Sequence, residues 1–103
     1  RAGRWIWDQV QRGEPVQVKD VAAHLKISPR SLERLFAAHY PCGVKEMILN
    51  MRMDRAKQLL RSTEQSIAEI SFRCGFSSQS VFGRVFHERE GATPRDWRKQ
   101  ALS

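Results

Sequence analysis

The chain has 103 residues, 41% of them hydrophobic, so it can form one small domain or two very small ones that share a core. Eighteen Lys and Arg residues against eleven Asp and Glu residues give a formal net charge of +7, and the pI near 10.3 is typical of a domain that binds a polyanion. Two cysteines and three histidines are too few and too scattered for a zinc site, and no apolar run reaches the roughly 20 residues of a membrane helix. We therefore expect no metal, cofactor or membrane partner, and a location in a reducing compartment.

The first forty residues carry three helix signals and almost no strand signal. RWIWDQVQRG predicts a short helix that ends at Gly13, and VKDVAAHL places four apolar residues at i, i+3, i+4 and i+7, which is one helical face. In the third segment Ser28 is a strong N-cap, and Pro29 suits the first helical position, where no backbone N–H is needed. The residues expected to face inward are Trp5, Ile6 and Val10 in the first helix and Leu32, Leu35 and Phe36 in the third.

Four more helices are predicted in the rest of the chain. A long one of roughly 18 residues covers about residues 44–61 and would be about 27 Å long. Ser66 and Glu69 form a capping-box pattern, and Gly75 can take the positive φ of a tight turn. Thr93 caps the last helix, which starts at Pro94. The residues expected on the apolar side of the long helix are Ile48, Met51, Ala56, Leu59 and Leu60, with Met47 and Met53 at its flanks. The predicted fold class is all-α with seven helices.

Aromatic residues and histidines have expected places as well. All three tryptophans, Trp5, Trp7 and Trp97, are expected in the core or at its edge, because their large rings are not part of a base-stacking pattern. The histidines are expected to be exposed and without partners; they are His24, His39 and His87.

One short pattern occurs twice, with an offset of 50: SPRSLERLF at residues 28–36 and SQSVFGRVF at residues 78–86. Each copy follows a short helix and a turn of about four residues, which is the arrangement of a helix-turn-helix motif whose second helix enters the DNA major groove. Side chains opposite the apolar stripe can meet base edges and phosphates, and arginine can donate two hydrogen bonds to guanine. They are Arg30, Glu33 and Arg34 in the first copy and Gln79, Ser80, Gly83 and Arg84 in the second.

The long central helix separates the two copies. A rod of about 27 Å suits two reading helices in successive major grooves, which lie about 34 Å apart. The sequence therefore predicts a first helix-turn-helix subdomain at residues 1–43, a linker helix at residues 44–61 and a second subdomain at residues 62–103.

The residues resemble the AraC/XylS family of transcription regulators over nearly the whole chain. SIAEISFRCGFSSQSVFGRVFHEREGATPRDWR at residues 66–98 is similar to the family signature, and MRMDRAKQLL at residues 51–60 is similar to the family's linker helix. The resemblance implies two helix-turn-helix subdomains on one linker helix and binding to double-stranded promoter DNA. Members of the family often activate transcription, so RNA polymerase is a candidate partner. Most members also carry an effector-binding or dimerisation domain ahead of this one, and the first residue here, which is not Met, fits a piece of a longer chain.

The resemblance also implies which residues contact DNA. The expected base-reading residues are Arg30, Glu33 and Arg34 in the first unit and Gln79, Ser80, Val81 and Arg84 in the second. Candidates for phosphate contacts are Ser28, Ser31, Arg52, Ser78 and His87. For Arg52 a structural ion pair is the alternative, and Glu33 can pair with Arg30 or Arg34 instead of meeting cytosine.

The first unit departs from the family pattern more than the second. Lys26 stands where glycine is usual in the first turn, so it must adopt a left-handed or altered backbone conformation at a cost of about 1 kcal/mol. Pro41 also replaces a glycine, and Ser71 replaces the usual alanine. Glycine inside a helix costs about 1 kcal/mol relative to alanine, so Gly83 indicates a close approach to DNA or to a neighbouring helix.

Two other functional classes are considered. A basic helical module could bind an acidic protein partner without any sequence-specific contact to DNA. An enzyme is not supported, because the chain has no carboxylate pair in a pocket pattern, no telling Cys–His spacing and no glycine-rich phosphate loop.

Overall fold

A computed structural model describes residues 2–102, which form seven helices joined by short turns. They are α1 Ala2–Gln11, α2 Val18–Leu25, α3 Pro29–His39, α4 Val44–Ser62, α5 Ile67–Arg73, α6 Gln79–Glu90 and α7 Pro94–Leu102. Residues 2–102 contain no strand, which confirms the predicted all-α class. None of the helices in this range is both long and apolar enough to cross a membrane.

Hydroxyl side chains start four of the helices, and three of these caps, at Ser28, Ser66 and Thr93, are predicted from the sequence. The Oγ atoms of Ser28, Ser66 and Ser78 each accept a hydrogen bond of 3.1 Å from the N–H three residues ahead, and Thr93 Oγ1 does the same before α7. Each bond satisfies one of the four N–H groups that a helix N-terminus leaves without a partner. The starting points of α3 and α6 are thus fixed by contacts inside a single turn.

The helix α4 is shared by two apolar cores. It has 19 residues and is therefore about 28 Å long. Its first half contributes Val44 and Ile48 to a core with α1, α2 and α3, and its second half contributes Ala56 and Leu60 to a core with α5 and α6. The chain is accordingly elongated, with extents of 44 × 22 × 21 Å.

The prediction for the methionines of α4 is wrong in part. Met53, expected at a flank, is buried in the second core with 2% of its surface exposed. Met51, expected on the apolar side, is only partly buried and packs against the first core. The apolar face of α4 changes partner near this point, so a single stripe does not describe the helix.

The prediction for Trp7 is also wrong. It is 49% exposed, whereas the buried residues of α1 are Ala2, Ile6 and Val10. Trp5 packs against the first core as expected, and its ring stacks on His24 with a centroid distance of 4.3 Å. His24, although exposed, therefore has an aromatic partner that the sequence did not predict.

The end of α4 is held by an arginine from α7. Arg98 donates from Nε to Leu60 O at 3.0 Å, from Nη1 to Gln65 O at 2.7 Å and from Nη2 to Thr63 O at 3.2 Å. Carbonyl groups at a helix C-terminus have no partner within the helix, and a cation there also interacts favourably with the helix dipole. Arg98 therefore joins α7 to the end of the central helix.

We predict that Arg98→Met lowers the free energy of unfolding by about 1.5–3 kcal/mol, because three carbonyls lose charged donors. Urea unfolding followed by circular dichroism measures the change. Arg95→Met, which removes an exposed arginine from the same helix, is the matched control and should shift the midpoint little. Equal effects of the two substitutions would contradict the structural role of Arg98.

The two cysteines differ in environment. Cys74 is 2% exposed, and burial raises the pKa of its thiol to about 11 although Arg55 and Arg52 lie near enough to favour the thiolate. Cys42 is half-buried.

We predict that iodoacetamide at pH 8 modifies Cys42 in the folded chain and leaves Cys74 unmodified, because the thiolate is the reactive form. In denaturant both should react. Because the folded pKa of Cys74 is raised from 9.0, its protonated thiol favours the folded state below about pH 9, and this contribution is lost as the pH rises toward 11. Mass spectrometry of the native sample finding Cys74 modified as fast as Cys42 would oppose this.

Candidate nucleic-acid interface

The turn between α2 and α3 requires a residue with positive φ. Lys26 takes this conformation, with φ 59° and ψ 41°, and its N–H donates to Ala23 O at 3.1 Å. The next N–H, of Ile27, reaches back to Ala22 O at 3.0 Å. The left-handed lysine predicted from the sequence is therefore confirmed, and the two hydrogen bonds show what holds it there.

The turn between α5 and α6 is built in the same way around a glycine. Gly75 has a φ of 84° and donates to Phe72 O at 3.1 Å, and Phe76 N–H donates to Ser71 O at 3.0 Å. Ser71 is buried with 3% exposed, and its hydroxyl donates to Ala68 O at 2.7 Å. A serine can replace the usual small apolar residue here because its polar group is satisfied within its own helix.

The two second helices of these units, α3 and α6, each bury one face. In α3 Leu32 and Phe36 have no exposed surface, and in α6 the same holds for Phe82 and Phe86. The opposite faces are open to solvent. The exposed predicted residues are Ser28, Arg30, Ser31, Glu33, Arg34, Ser78, Gln79, Ser80, Arg84 and His87. Burial of the apolar face of each helix therefore determines which of its side chains are exposed to solvent.

The arginines on these faces are weakly held by the rest of the chain. Arg84 lies 3.9 Å from the Glu88 carboxylate, but both side chains are 63% exposed, and surface pairs of this kind contribute little. Within residues 2–102 neither Arg30 nor Arg34 forms an ion pair, so the pairing with Glu33 considered above does not occur there. The guanidinium groups are free to meet a polyanion.

Two of the predicted residues have a different environment from the others. Val81 is half-buried and packs against the second core, so only part of it faces outward. Arg52 is also half-buried, and its Nη2 donates to Val16 O at 2.8 Å. This bond to the main chain is neither the ion pair nor the phosphate contact expected from the sequence.

A groove next to α6 was missed by the sequence reasoning. Its volume is about 780 Å³, and it runs from the start of α5 past Gln79 and Gly83 to the start of α7. Its charged lining residues are Arg95, Arg98 and Lys99, and among residues 2–102 no carboxylate lines it. The only sequence signal was the run of basic residues after Pro94, which is uninformative until α7 is placed beside α6.

Comparison with known proteins assigns the fold to a family. The helix-turn-helix domain family matches residues 21–100, which is most of the chain and includes both motifs. The chain also superposes on an AraC-type DNA-binding domain protein from Chromobacterium violaceum with a TM-score of 0.85 and 33% identity, over 99% of this chain and 89% of that one. The chain belongs to the AraC-type helix-turn-helix family.

Curated members of the AraC-type family are similar over most of this chain. The transcriptional regulator GbdR of Pseudomonas aeruginosa is 38% identical over 84% of the chain, and the regulator YfiF of Bacillus subtilis is 42% identical over 79%. The matched segments are 23% and 26% of those proteins, so the chain spans about a quarter of the relatives' length.

Solved structures agree with the AraC-type fold. The C-terminal domain of AraT from Geobacillus stearothermophilus has a TM-score of 0.89 at 29% identity, over 97% of this chain and 82% of that domain. The DNA-binding domain of AdpA, solved with a target DNA, has a TM-score of 0.88 over 96% of this chain and 87% of that one, but at 24% identity it supports the fold alone. The resemblance noted in the sequence is confirmed, and the chain is a DNA-binding domain of the kind found in transcription regulators.

Gly83 in α6 has no neighbour that requires a glycine. A Cβ atom built there meets nothing within 4 Å, so the close approach to another helix considered from the sequence is ruled out within residues 2–102. We predict that Gly83→Ala raises the free energy of unfolding by about 0.5–1 kcal/mol, because alanine loses less backbone entropy in a helix. Urea unfolding tests this, and a loss of stability would mean that the glycine serves the fold.

Proposed function

We propose that the chain binds double-stranded promoter DNA in a sequence-specific manner, with α3 and α6 in two successive major grooves. The observation that carries this proposal is that the exposed faces of α3 and α6 belong to two helices attached to one rigid α4. The long dimension of 44 Å accommodates two reading helices about 34 Å apart. In this arrangement residues 1–43 and 62–103 act as two reading units and residues 44–61 as their linker.

The chemistry of the exposed side chains suits base edges. Arg30, Arg34 and Arg84 can each donate two hydrogen bonds to guanine O6 and N7. Gln79 can pair in the same manner with adenine, and Glu33 can accept from the amino group of cytosine. The remaining candidates are Ser80, which can donate or accept, and the exposed part of Val81, which can contact a thymine methyl group.

Contacts to phosphates supply most of the affinity in this proposal and make it fall as salt rises. The exposed candidates are Ser28, Ser31, Ser78 and His87, together with Arg95 and Lys99 from the groove next to α6. Arg52 is not included, because its guanidinium is engaged with Val16 O.

The proposal extends to the whole protein. Because the relatives are about four times as long as the matched segment, we infer that the chain is the DNA-binding part of a longer bacterial regulator with a separate effector-binding or dimerisation domain. It acts in the cytoplasm, bound to the nucleoid, contacts RNA polymerase and catalyses no reaction. A relative from Cronobacter sakazakii, RhaR, is an activator of transcription.

We predict that Arg34→Ala and Arg84→Ala each weaken binding to the preferred site by about 1–3 kcal/mol and that each relaxes a different half of that site. Selection from a random duplex pool at physiological salt, repeated with each variant, measures both effects. Arg4→Ala, which removes an exposed arginine of α1, is the control and should leave the preferred sequence unchanged. An unchanged preference in both reading-helix variants would refute the assignment.

The second candidate function, a basic module for an acidic partner, rests on the net charge alone. This second function predicts equal binding to random duplex DNA, heparin and an acidic peptide, and binding that weakens steeply as the salt concentration rises. Enrichment of two short boxes about one helical turn apart would exclude it. Gly83→Ala also distinguishes the two candidate functions, because this substitution should weaken duplex binding if the backbone of α6 lies close to DNA.

A further inference from the structure

Arg52 lies between the first half of the molecule, which contains α1–α3, and the second half, which contains α5–α7. It belongs to α4, and its Nη2 donates to the carbonyl of Val16, a residue of the first half with 1% exposed. It also lies close to Gly75, in the turn between α5 and α6. A Cβ atom at Gly75 would be 3.2 Å from Arg52 Nε and 3.5 Å from its Cζ, so the guanidinium occupies the space beside Gly75 into which a side chain would project.

Other contacts near Arg52 lie in the same region, where the first half of the molecule meets α4 and the second half. A Cβ atom at Gly13 would be 3.1 Å from Arg73 O, so the main chain after α1 approaches the main chain at the end of α5. One turn of α4 beyond Arg52, the Nη1 of Arg55 donates to Gln11 Oε1 at 3.1 Å. The first half therefore approaches the end of α5 directly at Gly13 and the turn after it through Arg52, and Arg55 joins α4 to α1.

The other end of α6 is attached to α4. Arg89 donates to Glu46 Oε2 at 3.3 Å and also bonds to Asn50, while Lys57 pairs with Glu90 at 3.4 Å. These side chains reach only α4, so they do not connect α6 to α1 or α2.

We propose that Arg52 is a positioning residue that sets the distance and rotation between α3 and α6, and hence the spacing between the two DNA boxes that one chain reads. The inference rests on the proposed function and deepens it. Each half packs on its own part of α4, so the two halves could rotate relative to each other about that helix. The Arg52 side chain opposes this motion because it donates to Val16 O in the first half and lies beside Gly75 in the turn between α5 and α6. A lysine has no planar fork and cannot make both contacts at once.

The first test varies the spacing between the boxes. Duplexes with the selected boxes separated by the preferred spacer, or by one or two base pairs more or fewer, are titrated with the unchanged chain, Arg52→Met, Arg52→Lys and Arg61→Met. Arg61→Met is the control, because it removes an exposed charge from α4 that lies over Trp97 within the second half.

The unchanged chain and Arg61→Met should prefer the best spacer over its neighbours by at least about 10-fold, because one base pair rotates a box by roughly a tenth of a helical turn. In both Arg52 variants this preference should fall to about 3-fold or less. A uniform loss at all spacings in Arg52→Met, with a smaller salt slope and recovery in Arg52→Lys, would mean that Arg52 contacts phosphate and would overturn the proposal. An unchanged preference would overturn it as well.

A second test needs no DNA, so its result is independent of the proposed function. Spin labels at Ala38→Cys and Glu88→Cys, two exposed positions, report the distance between α3 and α6 in a Cys42→Ser background, while the buried Cys74 stays unlabelled. The distance distribution should be narrow in the otherwise unchanged chain and clearly broader with Arg52→Lys or Arg52→Met. Circular dichroism confirms that each variant is folded. Equal widths in folded variants would overturn the proposal even if the chain reads two boxes.

Discussion

The helix α4 must bury apolar side chains toward two sets of neighbours at once, and the rest of the structure depends on how it does so. Val44 and Ile48 face the first core, whereas Met53, Ala56 and Leu60 face the second. Each set of short helices completes its core with residues of this helix, since a domain of about fifty residues buries little surface by itself. The two motifs are therefore carried by one rod, and their separation follows from its length.

Packing then decides which side chains reach the surface. The rings of Phe36, Phe82 and Phe86 are fully buried, so rotation of α3 or α6 about its axis would expose apolar area at roughly 25 cal/mol per Å². Arg34 and Arg84 face outward as a consequence. The same burial that stabilises the fold orients the groups that can meet DNA, which explains why the pattern of both motifs combines aromatic and polar positions at fixed spacing.

The arginines of this chain have two different kinds of surroundings. Three ion pairs are seen among residues 2–102, and none of them involves Arg30 or Arg34 on the outer face of α3. Such charges repel one another in the free protein and favour a polyanionic ligand. Arg52 and Arg98 differ, because their guanidinium groups donate hydrogen bonds to backbone carbonyls inside the molecule. Net charge alone therefore overstates how many arginines can contact DNA.

The sequence by itself determined the features whose partners lie within one turn of the chain. The caps at Ser28, Ser66 and Thr93 and the seven helices follow from contacts over three or four residues, and the family resemblance adds the left-handed Lys26. Tertiary structure alone decided the places of Arg52, whose carbonyl partner is 36 residues away, and of Arg98, whose three partners are 33 to 38 residues away. It also decided that Met53 is buried and Trp7 exposed. The physical reason is that an apolar or charged side chain can suit several environments, and only the packing of distant helices on α4 selects one.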